Sequence, residues 1–138
     1  DIRNLNSNTI KNKSEIATLA CKIKDKNILN KNNIVKVITD SKISKRNMSR
    51  ANAFLRDGQF SDEENIYHHI GIYMYRASIL EKFINLKQTK NEVSQNLEQL
   101  RAMDNKIVID VILARYSPIG IDTNEDYLEI KKLMQYKS

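Results

Sequence analysis

The run Tyr67-His68-His69-Ile70-Gly71-Ile72-Tyr73-Met74-Tyr75-Arg76 is the densest stretch of aromatic and imidazole side chains in a chain otherwise dominated by lysine, asparagine and aliphatics. A β-strand sends alternate side chains to opposite faces. As a strand, it places Ile66, His68, Ile70, Ile72 and Met74 on a largely apolar face and Tyr67, His69, Gly71, Tyr73 and Tyr75 on the other. Gly71 leaves a gap between His69 and Tyr73 where a ligand could approach the backbone. Two readings stay open at this point: one wall of a wet pocket, or an edge strand whose amphipathic side chains face solvent.

Downstream the signals turn helical. Ser78 with Glu81, and Thr89 with Glu92, each have the spacing of a capping box. Leu80, Phe83 and Ile84 supply an apolar stripe after the first box. After the second, Val93, Leu97, Leu100 and Met103 fall on one helical face, with Glu98 and Gln99 at its shoulder. Ile107 to Leu113 reads as a strand interrupted only by Asp110, Pro118 and Gly120 shape a turn, and Thr123 is the expected cap of a last helix. Leu128, Leu133 and Met134 carry much of that helix's apolar content.

Upstream, Ile16 to Ile23 is apolar on both faces and short, as a buried strand is. Ile34 to Ile38 gives a second strand, and Lys42 to Arg50 a third that pairs back on it through Ile43 and Met48. Residues 51–64 are expected to form a loop with a turn at Arg56-Asp57-Gly58. Residues 1–14, rich in Asn, Ser and Lys, are expected to be irregular or a frayed helix end. The alternation of strands and helices is that of an α/β fold, in a single domain or partial domain spanning 1–138.

Composition excludes more than it selects. The 138 residues are 41% hydrophobic and 29% charged, as in a globular domain. The net charge of +6 comes from 23 basic and 17 acidic residues spread along the chain without a block of like charge, so basicity does not single out nucleic acid. A lone Cys21 excludes an intramolecular disulfide and a cysteine-based zinc cluster. No apolar run is long enough to cross a bilayer and no signal peptide opens these residues, so a cytoplasmic protein without a membrane partner is expected. His68 and His69 point to opposite sides of a strand and cannot share one metal ion. Asp122 stands between a strand-ending turn and a helix start, where a carboxylate either caps the helix or offers a hard oxygen ligand to Mg²⁺. No complete catalytic motif is present.

Three ordered blocks resemble a known family: His69 to Arg76, Leu97-Glu98-Gln99-Leu100-Arg101, and Gly120-Ile121-Asp122-Thr123-Asn124-Glu125-Asp126. They are similar to the C-terminal half of the CMP-Kdo synthetases, the 3-deoxy-manno-octulosonate cytidylyltransferases. Ile16-Ala17-Thr18-Leu19, Val35-Lys36-Val37 and Ser49-Arg50 look like the family's segments just upstream. The resemblance implies the C-terminal portion of a Rossmann-like, mixed-sheet nucleotide-sugar transferase fold. It also implies an enzyme that couples Kdo to CTP, releasing pyrophosphate and giving CMP-Kdo for lipopolysaccharide synthesis, with Mg²⁺ as cofactor and a homodimer as the assembly. By the same resemblance Arg50, His69, Tyr73, Glu98 and Gln99 contact the sugar, and Asp122 holds the metal and serves catalysis.

Departures accompany the likeness. The family's N-terminal half, with its nucleotide loop and own metal-binding aspartate, has no counterpart in these residues, so the chain alone is expected to be inactive. Gln88, Thr89 and Lys90 replace family prolines, as does Asn124. The segment Ala51 to Leu55 lacks the proline pattern expected after Ser-Arg. The alternatives are a cytidylyltransferase for another acidic sugar, a non-catalytic dimerising remnant, or a basic nucleic-acid-binding domain; the leading reading has no nucleic-acid partner.

Overall fold

The computed structural model describes residues 1–58, 65–116 and 124–135. Among the described residues, five strands and five α-helices occur in the order α1 (Ile2–Lys11), β1 (Ile16–Lys22), β2 (Lys36–Thr39), β3 (Ser49–Leu55), β4 (Asn65–Tyr75), α2 (Ala77–Ile84), α3 (Lys90–Gln95), α4 (Gln99–Asp104), β5 (Ile109–Leu113) and α5 (Asn124–Gln135), with a short 3-10 helix at Lys26–Asn30. The sheet is mixed, which makes this an α/β fold. β1 runs parallel to β5 and antiparallel to β4, and the order β1-β4-β2-β3-β5 returns to β1, so the sheet closes on itself.

The apolar character of β1 on both sides follows from this placement, because each face of the sheet packs into its own core. Ile16, Ala20, Val37, Phe54, Tyr67, Ile109 and Val111 pack on one face together with Phe83, Leu97, Ala102 and Ile107 from the helical region. Ala17, Leu19, Cys21, Ile70 and Ile112 pack on the other with Leu5 of α1. β4 keeps the alternation expected of it: Tyr67, Tyr73 and Tyr75 lie against the first core and Ile70 and Met74 against the second. The pairing shifts between Thr18 and Leu19, which oppose Tyr73 and Ile70, so Gly71 and Ile72 are extra residues on β4. A slip of two leaves the face assignment unchanged, whereas a slip of one would invert it.

Four local expectations are corrected. Residues 1–14 contain a regular helix, α1, because Leu5 and Thr9, four apart, are buried on one side of it. Sealing Leu5 contributes about 2 kcal/mol, and Ser7, Asn8 and Asn12, among the residues that suggested a loop, bond back to the preceding turn. The strand expected at 42–50 starts only at Ser49 and continues through Leu55, where a loop was expected; Ala51 and Phe54 pack against the core there. Ser78 does not cap α2, whose N-cap is Arg76. The single helix expected through Val93 and Met103 is broken at Asn96, which adopts φ 52°, ψ 49°, and this leaves Val93 64% exposed. The capping box at Thr89 and Glu92 is present in both directions. Among the described residues no helix is long and apolar enough to cross a membrane.

Candidate functional site

Register alone places His69 opposite Ala20, and Tyr73 opposite Thr18, on the face of the first core. Around them runs a chain of rings. His69 meets Phe54 edge-on at 5.0 Å between centroids and Tyr73 at 5.4 Å; Tyr73 meets Tyr75 at 6.1 Å, and Tyr75 meets Phe83 at 5.7 Å. The Arg101 guanidinium caps the series, 4.9 Å above the Phe83 ring. Such ring contacts hold side chains in fixed orientations at small cost in mobility.

Arg101 is held in turn. It forms two bonds with Glu92, at 2.8 and 2.5 Å, and a longer contact of 3.5 Å with Glu98. Glu92 is buried and also accepts the Thr89 backbone N–H. The hydrogen bonds from Arg101 hold its carboxyl well below the usual range, at about 2. Glu98 is the N-cap residue of α4, and its side chain is 71% exposed. Its charge is felt by both Tyr73 and Tyr75. Gln99, the first residue of α4, is buried.

The polar state of the two β4 residues follows from burial. His69 is 8% exposed, and burial, followed by the neighbouring His68, lowers its pKa to about 4, so it is neutral at pH 7. Burial, then Tyr75 and Glu98, raises the Tyr73 phenol well above its ordinary value, so it keeps its proton. The Tyr73 hydroxyl is buried with no hydrogen-bond partner among the described residues. Buried polar atoms are nearly always paired, so an unpaired one marks a place where a ligand or water belongs. At Gly71 the space is open: an added Cβ would meet nothing within 4 Å.

The described structure thus sets Tyr73 in ring contact with His69 and within the field of Glu98, with Gln99 buried next to Glu98 in sequence. Arg50 does not join them from the same side. It pairs with Asp110 in register, which puts it on the face of Ala17 and Met74, and it is exposed. Asp122, Gly120 and Thr123 lie outside the described residues. Among those described, no group of three or more His, Cys, Asp or Glu side chains could hold a metal ion. A cleft of about 800 Å³ opens at the carboxyl ends of parallel strands β1 and β5, lined by Lys22, Lys24, Lys45, Arg115 and Tyr116 among others.

Sequence reading missed four contributors. Phe54 fell in an expected loop. Phe83 was only a helix stripe, and Arg101 only part of a family word. Thr18 had a legible signal, a hydroxyl inside a strand otherwise apolar from Ile16 to Cys21.

The model of a family described as cytidylyltransferase matches residues 1–110. The chain belongs to the cytidylyltransferase family. A 3-deoxy-manno-octulosonate cytidylyltransferase of Bartonella bacilliformis is 40% identical over 123 residues, covering 89% of this chain and 50% of the relative. One of Agrobacterium fabrum is 37% identical over 120 residues, covering 87% and 47%. The chain therefore spans about half the length of the curated relatives it matches. A solved CMP:2-keto-3-deoxy-manno-octonic acid synthetase complexed with CTP superposes with a TM-score of 0.82 at 24% identity, over 100% of this chain and 56% of that one. At that identity the match establishes the fold. The cytidylyltransferase family is the one that the three sequence blocks resemble.

Proposed function

We propose that this chain provides the acid-sugar-binding part of a cytidylyltransferase that couples Kdo to CTP, giving CMP-Kdo and pyrophosphate for lipopolysaccharide synthesis. The observation that carries the reading is the buried Tyr73 hydroxyl, without a partner among the described residues, on a ring 5.4 Å from that of neutral His69. A sugar hydroxyl both donates and accepts, and so matches a phenol and an imidazole better than any apolar ligand would. Exposed Glu98 and buried Gln99 supply further hydrogen-bonding groups for a polyol. The names of the matched relatives support Kdo as the sugar.

The work of these residues is positioning. A neutral imidazole and a phenol held by ring contacts, together with the Gln99 carboxamide, fix the sugar so that one hydroxyl is set for attack on a phosphate, which converts a bimolecular encounter into an oriented one. The basic side chains at the ends of β1 and β5 favour an anionic partner arriving at the carboxyl ends of these two strands. This reading does not need Arg50. The resemblance assigns it the sugar carboxylate, and Arg50→Ala tests that assignment by itself.

Magnesium is proposed through Asp122 alone. The described residues do not form a cage for it, and Mg²⁺ is ordinarily held by one or two carboxylates completed by substrate phosphates and water. Its chemistry, when bound, would be to neutralise phosphate charge. The nucleotide loop of the family is proposed to be required in addition, as is a homodimer.

The test is a pyrophosphate-release assay with CTP, Kdo and Mg²⁺. The chain alone should give no turnover, and the chain combined with the nucleotide-binding half of a relative should give CMP-Kdo. Asp122→Asn should abolish that turnover. Replacement of Kdo by sialic acid should lower it sharply; the reverse preference would move the chain to another acidic-sugar cytidylyltransferase. Turnover by the chain alone would overturn the requirement for a second part.

A further inference from the structure

We infer that Thr18 is a positioning residue: it fixes His69 as the tautomer protonated on Nε2, so that Nδ1 is kept as a hydrogen-bond acceptor for a ligand hydroxyl. The inference deepens the sugar-site reading and rests on it for the identity of the ligand. The tautomer itself does not depend on that reading.

The geometry is a matter of counting protons. Thr18 is fully buried, and its Oγ1 lies 2.9 Å from the carbonyl oxygen of Ile72, 3.2 Å from that of Ile70 and 3.0 Å from His69 Nε2. A hydroxyl carries one hydrogen and two acceptor lone pairs. Neither carbonyl oxygen has a proton to give, so the Thr18 hydrogen is the one that satisfies them, shared between the two. The contact with the imidazole then has only one remaining sense, with Nε2–H donating to Oγ1. In a neutral ring the proton on Nε2 leaves Nδ1 bare.

The local backbone shows why a threonine does this here. Gly71 and Ile72 are the extra residues of β4, inserted where the β1 pairing shifts at Thr18. A bulge of this kind leaves backbone groups without ladder partners. Thr18 turns its hydroxyl to the carbonyls on either side of Gly71, so the same side chain closes the irregularity and orients the ring. The other faces of the ring meet the edge of Phe54 and the tilted ring of Tyr73, whose carbons offer no competing acceptor. The Tyr73 hydroxyl, unpartnered, supplies a donor in the same neighbourhood. A single polyol hydroxyl donating to Nδ1 and accepting from Tyr73 satisfies both.

The experiment uses the full 138-residue chain labelled with nitrogen-15 in its histidines. Two-bond imidazole spectra at neutral pH should show His69 as one fixed Nε2–H tautomer, with a mixture in Thr18→Val and the fixed form restored in Thr18→Ser. Titration with Kdo by calorimetry should show Thr18→Val weakened about tenfold, the loss of one hydrogen bond's worth of orientation, and Thr18→Ser within about twofold of the parent. An Nδ1–H tautomer in the parent would overturn the inference. So would a Thr18→Val protein that keeps both the fixed tautomer and the affinity. Should Thr18→Val fail to fold, Thr18→Ser against the parent still reads the tautomer. If the parent shows the fixed Nε2–H form but does not bind Kdo, the sugar reading fails while the tautomer stands.

Discussion

Lowering the pH from 8 to 5 should destabilise this chain by about 2 kcal/mol through His69, on the ordinary value of 1.4 kcal/mol per pKa unit. In the unfolded chain a histidine titrates near 6.5, and burial lowers His69 to about 4 in the fold. Between those values the unfolded state holds a proton that the folded state refuses, so stability falls as pH falls. The loss begins near pH 6.5, grows by roughly one proton's worth per pH unit, and reaches about 3 kcal/mol near pH 4. His68, also lowered by burial and by Lys36, adds to the effect with the same sign. Glu92 does not interfere above pH 4.5, because its lowered carboxyl costs stability only as pH falls from there towards 2. Urea unfolding followed by circular dichroism at pH 8, 7, 6 and 5 measures the slope, and His69→Gln should remove most of it while His68→Gln removes less. Stability that is level from pH 7 to 5, or that rises on acidification, would refute the buried neutral imidazole.

Three further outcomes follow from the packing. Lys36→Met should cost about 2–4 kcal/mol in urea unfolding, because the buried side chain donates to the carbonyls of Lys31, Ile34 and Arg56, and its loss removes three hydrogen bonds to part-buried acceptors. Asn96→Gly should stabilise by about 0.5 kcal/mol, since the left-handed backbone that ends α3 is one that glycine adopts freely. Gly71→Ala should change unfolding by less than about 0.5 kcal/mol, as an added methyl meets no neighbour, yet weaken Kdo binding if the sugar approaches there. Equal Kdo affinity in Gly71→Ala would place the ligand elsewhere.

What could be read from sequence was whatever is written in local periodicity. The period-two alternation from Ile66 to Tyr75 placed the face of His69 and Tyr73 correctly, because the irregularity at Gly71 and Ile72 adds an even number of residues. The box at Thr89 and Glu92 was legible because both of its partners lie within one turn. Long-range partners left no local mark. Phe54 reaches His69 from a strand whose Arg-Ala-Asn-Ala lead-in offers only small apolar side chains and no β-branched residue, and Arg101 reaches Glu92 across a helix break made by the conformation of one asparagine. The closure of the sheet rests on the pairing of Ser49 and Arg50 with Val111 and Asp110, far apart in the chain. That pairing also sets Arg50 on the face away from His69, which no spacing within either segment reveals. Of the candidate site, the β4 pair was legible in residue order alone. Glu98 and Gln99 were marked by the family likeness, and the nearness of Glu98 to Tyr73 needed the folded chain.

The central claim is that β4 presents a sugar-binding face, and calorimetric titration of the 138-residue chain with Kdo tests it most directly. The account predicts saturable one-to-one binding near neutral pH, weakened about tenfold by Tyr73→Phe, which removes only the unpartnered hydroxyl. No heat of binding in the parent, or binding that Tyr73→Phe leaves unchanged, would contradict it.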